Sequence, residues 1–294
     1  MQRLIVFLMS IAMTAGGYAA RATGDAKAEQ LMALARAALG GEKNLNKVQG
    51  LTATGTYQRT MQDRQVSGEV TIDLQLPDKF LRTESMSPMG DILIVTAQGL
   101  NGETLLRNQR TLNGPPGVVI RTPPPPTGDA EAQAIRNARA DLARTALAFL
   151  LASPAALPLE FSAGGEAEAD EGKADVIDAK GAGNFAARIF LDQKTHRPLM
   201  LMYRGVAPRV MIQTQQGPPP PDGRGRGEPP HDPAAAPAPQ VVDITVFLDD
   251  YKPVDGVMVP HHMARSIDGK PSEETTFKTI KLNPAFKADT FAAK

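Results

Sequence analysis

The side chains able to do chemistry are few, and their spacing suits little of it. His261 and His262 are adjacent, inside a stretch that alternates like a β-strand. Neighbouring side chains on a strand point to opposite faces, so the two imidazoles cannot grip one ion. The expectation is one packed and one solvent-facing histidine, and no metal site. Asp249, Asp250 and Asp255 cluster in DDYKPVDG, which reads as a turn between two strands. Turn chemistry explains them without invoking general acid–base work. The acidic run Glu166 to Glu171 lacks the ligand spacing of a calcium loop and reads as a solvated loop. There is no cysteine. That removes disulfides, thiolate metal sites, a cysteine nucleophile and a cysteine for lipid attachment. No G-x-S-x-G elbow, P-loop or dinucleotide fingerprint occurs. The reading is therefore a binding protein and not an enzyme: no catalytic residue, no metal and no cofactor is assigned.

The chemistry the sequence does offer is apolar. Leu199-Met200-Leu201-Met202-Tyr203 is apolar on both faces of a strand, and so is much of Val241 to Leu248. A sheet with one wet face would not need this, so helices or a ligand must cover the second face. Met61, Met86, Met89, Met200, Met202, Met211, Met258 and Met263 fall on or beside expected strands. Thioethers suit adaptable apolar surfaces. The candidate lining residues of an apolar cavity are Ile72, Leu74, Leu201, Tyr203, Ile244, Val246, Met263 and Phe277, with Leu142 and Phe149 from a covering helix. Which strand face is concave is not fixed by the pattern. A modest cavity of such residues could hold an acyl chain, which gains about 0.8 kcal/mol per buried methylene.

Strands must position these residues. Val70, Ile72, Leu74 and Leu76 alternate cleanly with polar residues, as do Val242, Ile244, Val246 and Leu248. Asp268-Gly269 is a hairpin dipeptide between strands Val257 to Ile267 and Glu273 to Leu282. Further strands are expected over 51–60, 66–76, 79–86, 91–98, 103–107, near Leu159, and over 174–179, 185–191 and 199–206. Arg209 to Thr214 starts another, and a short one lies between Pro115 and Pro126. Two helices are expected. Asp25 to Leu39 places Leu31, Leu34, Ala35, Ala38 and Leu39 on one face and ends at Gly40-Gly41. Asp129 to Ala152, capped by Asp129, carries a seam of Ile135, Ala138, Leu142, Ala146 and Phe149. The fold class is thus mainly β (α+β), with about 10–11 antiparallel strands. Gln215 to Gln240 is rich in Pro, Gly and Ala and reads as a disordered loop within one sheet, not as a domain boundary.

Charge and termini bound the setting. Formal net charge is zero, so no field favours nucleic acid. Arg3, the apolar run Leu4 to Ala15 and Ala20-Arg21-Ala22 read as a signal peptide over 1–22. Cleavage after Ala19 is an alternative, and a membrane anchor would need a longer apolar run. Cutting after Ala22 removes two bases, Arg3 and Arg21, from 32, leaving 30 against 32 acidic residues. The expected product, 23–294, is one exported, soluble domain without a lipid anchor. It closes at Lys294 soon after the last strand, as a stand-alone unit would, and is expected to be a monomer.

The closing segment DDYKPVDGVMVP, the DG turn and IKLNPAFKADTF resemble the end of the LolA/LolB-like superfamily of periplasmic lipoprotein carriers. The opening ARAALGGEKNLNKVQGLTATGTY is similar in its helix–GG–strand order. The Pro-rich insertion departs from that family's pattern. The resemblance implies an incomplete antiparallel β-barrel with helices covering the open concave side. It also implies a periplasmic carrier or chaperone for lipoprotein or lipid acyl chains, with envelope membrane proteins as further partners. A second reading within the same fold is an envelope sensory or regulatory binding protein.

Overall fold

A computed structural model describes residues 21–61, 64–89, 92–113, 126–169, 172–206 and 240–292. The elements run α1 (Arg21–Ala38), α2 (Glu42–Leu45), β1 (Gly50–Met61), β2 (Arg64–Gln75), β3 (Lys79–Met89), β4 (Ile92–Asn101), β5 (Thr104–Leu112), α3 (Asp129–Leu150), β6 (Leu159–Ala169), β7 (Gly172–Gly181), β8 (Phe185–Asp192), β9 (Pro198–Val206), β10 (Val241–Val254), β11 (Val257–Ile267) and β12 (Lys270–Leu282). The twelve strands form one open antiparallel sheet in the order β5-β4-β3-β2-β1-β12-β11-β10-β9-β8-β7-β6. It is a mainly β incomplete barrel, as expected, with one or two strands more than the sequence suggested.

Two meanders make this sheet. One runs outward from β1 to β5, and the other runs inward from β6 to β12. They join where β12 pairs with β1, from Leu51 opposite Leu282 to Arg59 opposite Glu273. The chain between β5 and β6 must therefore pass from one sheet edge to the other, and it carries α3. Partners across an antiparallel ladder share a face. Leu51, Ala53, Tyr57, Val70, Ile72, Leu74 and Phe80 thus look to one side, here the inner face. Both long helices pack there: α1 gives Leu31, Met32 and Ala35, with Leu39 just past its end, and α3 gives Leu142, Ala143, Ala146, Leu147, Phe149 and Leu150 to one buried core.

Local chemistry explains several boundaries. Gly40 (φ +115°) lets α1 end against the β10–β11 turn, where a Cβ would stand 2.1 Å from the Gly256 carbonyl oxygen. The Met258 N–H donates to the Leu39 carbonyl at 2.9 Å beside it. Asp268 and Gly269 both have positive φ, as the hairpin dipeptide requires.

Several expectations are corrected. The acidic run is not a loop as far as Ala169: β6 extends through Glu166 and Glu168, and residues 170–171 lie outside the described residues. As an edge strand it keeps those carboxylates in solvent, so polarity there was no bar to pairing. Likewise β10 continues through the aspartates to Val254, with Asp250 at φ +49°, and only Asp255-Gly256 form the turn. α1 starts at Arg21, and its buried face uses Met32 in place of the exposed Leu34. Gly128, not Asp129, caps α3, and it makes no side-chain cap bond. The Pro-rich stretch, the strand expected at 209–214 and the one expected between 115 and 126 fall in 207–239 and 114–125, outside the described residues but for Gln240 and Pro126.

Candidate functional site

All ten candidate lining residues belong to one side of the sheet. Leu201 pairs with Val246 and Tyr203 with Ile244, so β9 and β10 present them to the same face. Met263 pairs with Thr275, itself opposite Tyr57, and Phe277 lies opposite Gly55. Ile72 and Leu74 lie opposite Ala53 and Leu51. Ile72, Leu74, Leu142, Phe149, Leu201 and Phe277 are buried in the core that α1 and α3 complete, and Tyr203 and Met263 pack half-buried against it. Ile244 is buried, and Val246 is half-buried. The Phe149 ring meets the Phe277 ring at 5.5 Å between centroids. A small cavity of about 110 Å³ lies elsewhere, on the outer side of β3–β5, between Leu81, Val95, Leu106 and Thr290. None of the ten lines it.

The second apolar face of β9 and β10 has its own explanation. Met200, Phe190, Val176 and Ala174 form a separate outer cluster, with Met202 and Phe247 packed against it. These side chains do not belong to the inner face.

α3 is held unevenly. Its C-terminal half is buried from Leu142 onward, apart from half-buried Arg144 and Thr145. Its N-terminal half has no buried residue, and Ile135, Ala138 and Ala140 are only half-buried. Arg139 of that half pairs with Glu103 in the β4–β5 turn. The inner face also holds a set of half-buried apolar residues. Val66, Met86 and Ile94 lie there on β2 to β4, and Val246, Met263 and Ile267 on β10 and β11.

The inner face also carries charges that the hydrophobic pattern did not reveal. Arg59 Nε donates to Glu273 Oε2 at 2.7 Å and Arg59 Nη2 to Glu84 Oε1 at 2.8 Å. Arg82 donates to the same two carboxylates, Nη2 to Glu273 Oε1 at 2.7 Å and Nε to Glu84 Oε1 at 2.6 Å. The four close a neutral ring across β1, β3 and β12. Burial alone would raise the Glu273 pKa. The charges of Arg82 and Arg59 and their hydrogen bonds outweigh it and hold the carboxyl below its ordinary range. Arg59 also lies over the Tyr57 ring, 4.9 Å from its centroid. The Tyr57 hydroxyl beneath is buried without a partner. Strand parity was the missed signal: Arg59 is two residues from Tyr57, and Glu273 is four from Phe277, so both had to share the inner face.

Tyr203 links helix and sheet. The Arg144 guanidinium of α3 stacks 3.9 Å from its ring centroid. Arg265 Nη2 of β11 donates to its hydroxyl at 3.2 Å. Burial raises the Tyr203 pKa, against the opposing pull of Arg265 and Arg144. The histidines separate as expected. His261 is buried with Nδ1 at 3.1 Å from the Val259 carbonyl oxygen, and His262 faces outward to Asp249 and Glu274. Among the described residues no three metal-ligating side chains converge, and no helix is long and apolar enough to cross a membrane.

No protein-family model and no curated protein matches the sequence. Solved structures do. A LolA superfamily protein from Nitrosomonas europaea matches at 9% identity and TM-score 0.45, over 90% of this chain and 96% of its own. The chain is similar to a domain from Vibrio parahaemolyticus named after outer membrane lipoprotein sorting, at 12% identity and TM-score 0.43, over 90% of this chain and 97% of that one. A DUF1329 family protein from Desulfovibrio piger matches at 8% identity and TM-score 0.43, over 90% and 96%.

Proposed function

We propose that the chain is an exported, soluble periplasmic carrier or chaperone that holds lipoprotein acyl chains, or another lipid, against the inner face of its sheet. The supporting observation is the half-buried apolar set Val66, Met86, Ile94, Val246, Met263 and Ile267 on the sheet face that α3 packs against, together with a helix buried along only half its length. Water against such a surface is unfavourable. An acyl chain laid there gains about 0.8 kcal/mol per methylene removed from water. The buried half of α3 stays fixed on Phe277 while the N-terminal half gives way to the chain. The ten candidate residues divide accordingly: the half-buried Tyr203, Val246 and Met263 meet the ligand, and the seven buried ones form the core behind it. Export rests on the segment 1–22, and N-terminal sequencing of the mature protein is expected to start between Arg21 and Thr23.

The test is uptake of a fluorescent fatty acid by the purified chain. Saturable binding is expected in the wild type, with large losses in Val246→Asp and Met86→Asp and none in the exposed Thr279→Asp. The absence of saturable wild-type binding would overturn the carrier reading.

A further inference from the structure

We propose that the bound lipid ends in an oxyanion, and that Arg265 and Arg144 receive that headgroup on either side of Tyr203. This rests on the carrier reading above. Arg265 stands on the inner face between Val246 of β10 and Glu273 of β12, its two ladder neighbours. Glu273 is the carboxylate placed to neutralise it. Both of its oxygens are already taken, by Arg59 and by Arg82, each at 2.7 Å. Among the described residues no carboxylate lies within ion-pair distance of Arg265. The closed ring beside it holds two arginines and two glutamates, so Arg265 leaves this part of the face positive.

The donors show the same deficit. A guanidinium carries five N–H donors and no acceptor. Arg265 donates one to the Tyr203 hydroxyl, and its Nε is buried without a partner. Arg144 donates to Asp141 at 2.9 Å, and its Nε is buried without a partner as well. Buried donors are rarely left unmet, and each unmet one costs free energy. Here the two arginines that carry such donors, one on a helix and one on the sheet, both contact one tyrosine. A carboxylate or phosphate brings several acceptor lone pairs and a charge, and guanidinium is the group best shaped to meet both. The tail follows from position: Val246, directly across from Arg265, is apolar and only half-buried. An anionic head on Arg265 therefore starts its chain on the apolar set described above. Because Arg144 belongs to α3, the same headgroup bridges helix and sheet.

Three ligands of one chain length test this by calorimetry on the whole mature chain: dodecanoic acid, dodecyl phosphate and dodecanol. Charge-assisted hydrogen bonds lead to an expected preference of about tenfold or more for the two anions over the alcohol. Arg265→Gln should remove that preference by weakening the two anions, and Arg265→Lys should restore part of it. Arg144→Gln should weaken the anions alone. The ratio of acid to phosphate then separates a free fatty acid from a phospholipid-type head. Equal binding of all three, unaltered in Arg265→Gln, would overturn the headgroup site and leave the carrier reading standing. Binding of none would overturn the carrier reading itself.

Discussion

Glu273 holds two guanidiniums at once and is the most buried member of its ring, at 8% exposure against 28% for Arg59 and 29% for Arg82. Glu273→Gln keeps the shape, removes the charge and leaves two arginines short of a partner. Destabilisation by about 1–3 kcal/mol is expected, below the full buried-pair figure because both arginines keep some solvent. The pH dependence follows from the lowered carboxyl pKa. The contribution is complete above the ordinary value of 4.5 and is lost as pH falls through the lower folded value. His262 works in the opposite window. Its hydrogen bond with Asp249 raises the imidazole pKa, burial opposes this, and the charges of Asp249 and Glu274 add to the rise. Its contribution is therefore complete below 6.5 and is lost as pH rises through the higher folded value. Thermal melts of wild type and His262→Gln from acid to alkaline pH should differ most below that point and converge above it. A difference that grows with pH would contradict the assignment. The opposite faces of the two histidines were legible in the sequence from strand parity alone. The charged ring was not, because reading the pattern for apolar residues passes over arginines and glutamates that share the inner parity.

At the scale of elements, α3 is packed as two unlike halves. The seam from Ile135 to Phe149 was legible because 3.5-residue spacing survives any context. Nothing in that seam distinguished its buried half from its half-exposed one. The difference lies in what the sheet presents, namely Phe277 opposite the end and a turn opposite the start. Phe149→Ala is expected to cost about 3–5 kcal/mol in urea unfolding, since it empties a site against Phe277. Ile135→Ala should cost about 1 kcal/mol or less. Equal effects would mean that the helix is packed evenly and gives no room to a ligand. Strand ends were the hardest elements to read. Asp249 and Asp250 look like turn residues, yet their backbone pairs with β11 or bulges, and Glu166 and Glu168 sit on an edge where solvent tolerates charge.

At the scale of the molecule, the sheet is the product of two meanders that meet at β1 and β12, with α3 carried from edge to edge between them. The mainly β class, the final hairpins and the helix–GG–strand opening followed from alternation and turn dipeptides. The sheet order did not. Local pattern names neighbours in sequence, whereas the β1–β12 seam joins residues more than two hundred positions apart. That seam is also what gathers Tyr57, Arg59, Glu273 and Phe277 onto one face and makes an inner surface that is both apolar and charged. The most direct measurement of whether this surface is a lipid site is mass spectrometry of solvent extracts. The chain is purified without detergent from its host, beside Val246→Asp treated identically. Acyl-chain lipid in near-equimolar amount with the wild type, and its depletion from Val246→Asp, is the expected result. Lipid absent from the wild type, or present equally in both, would contradict it.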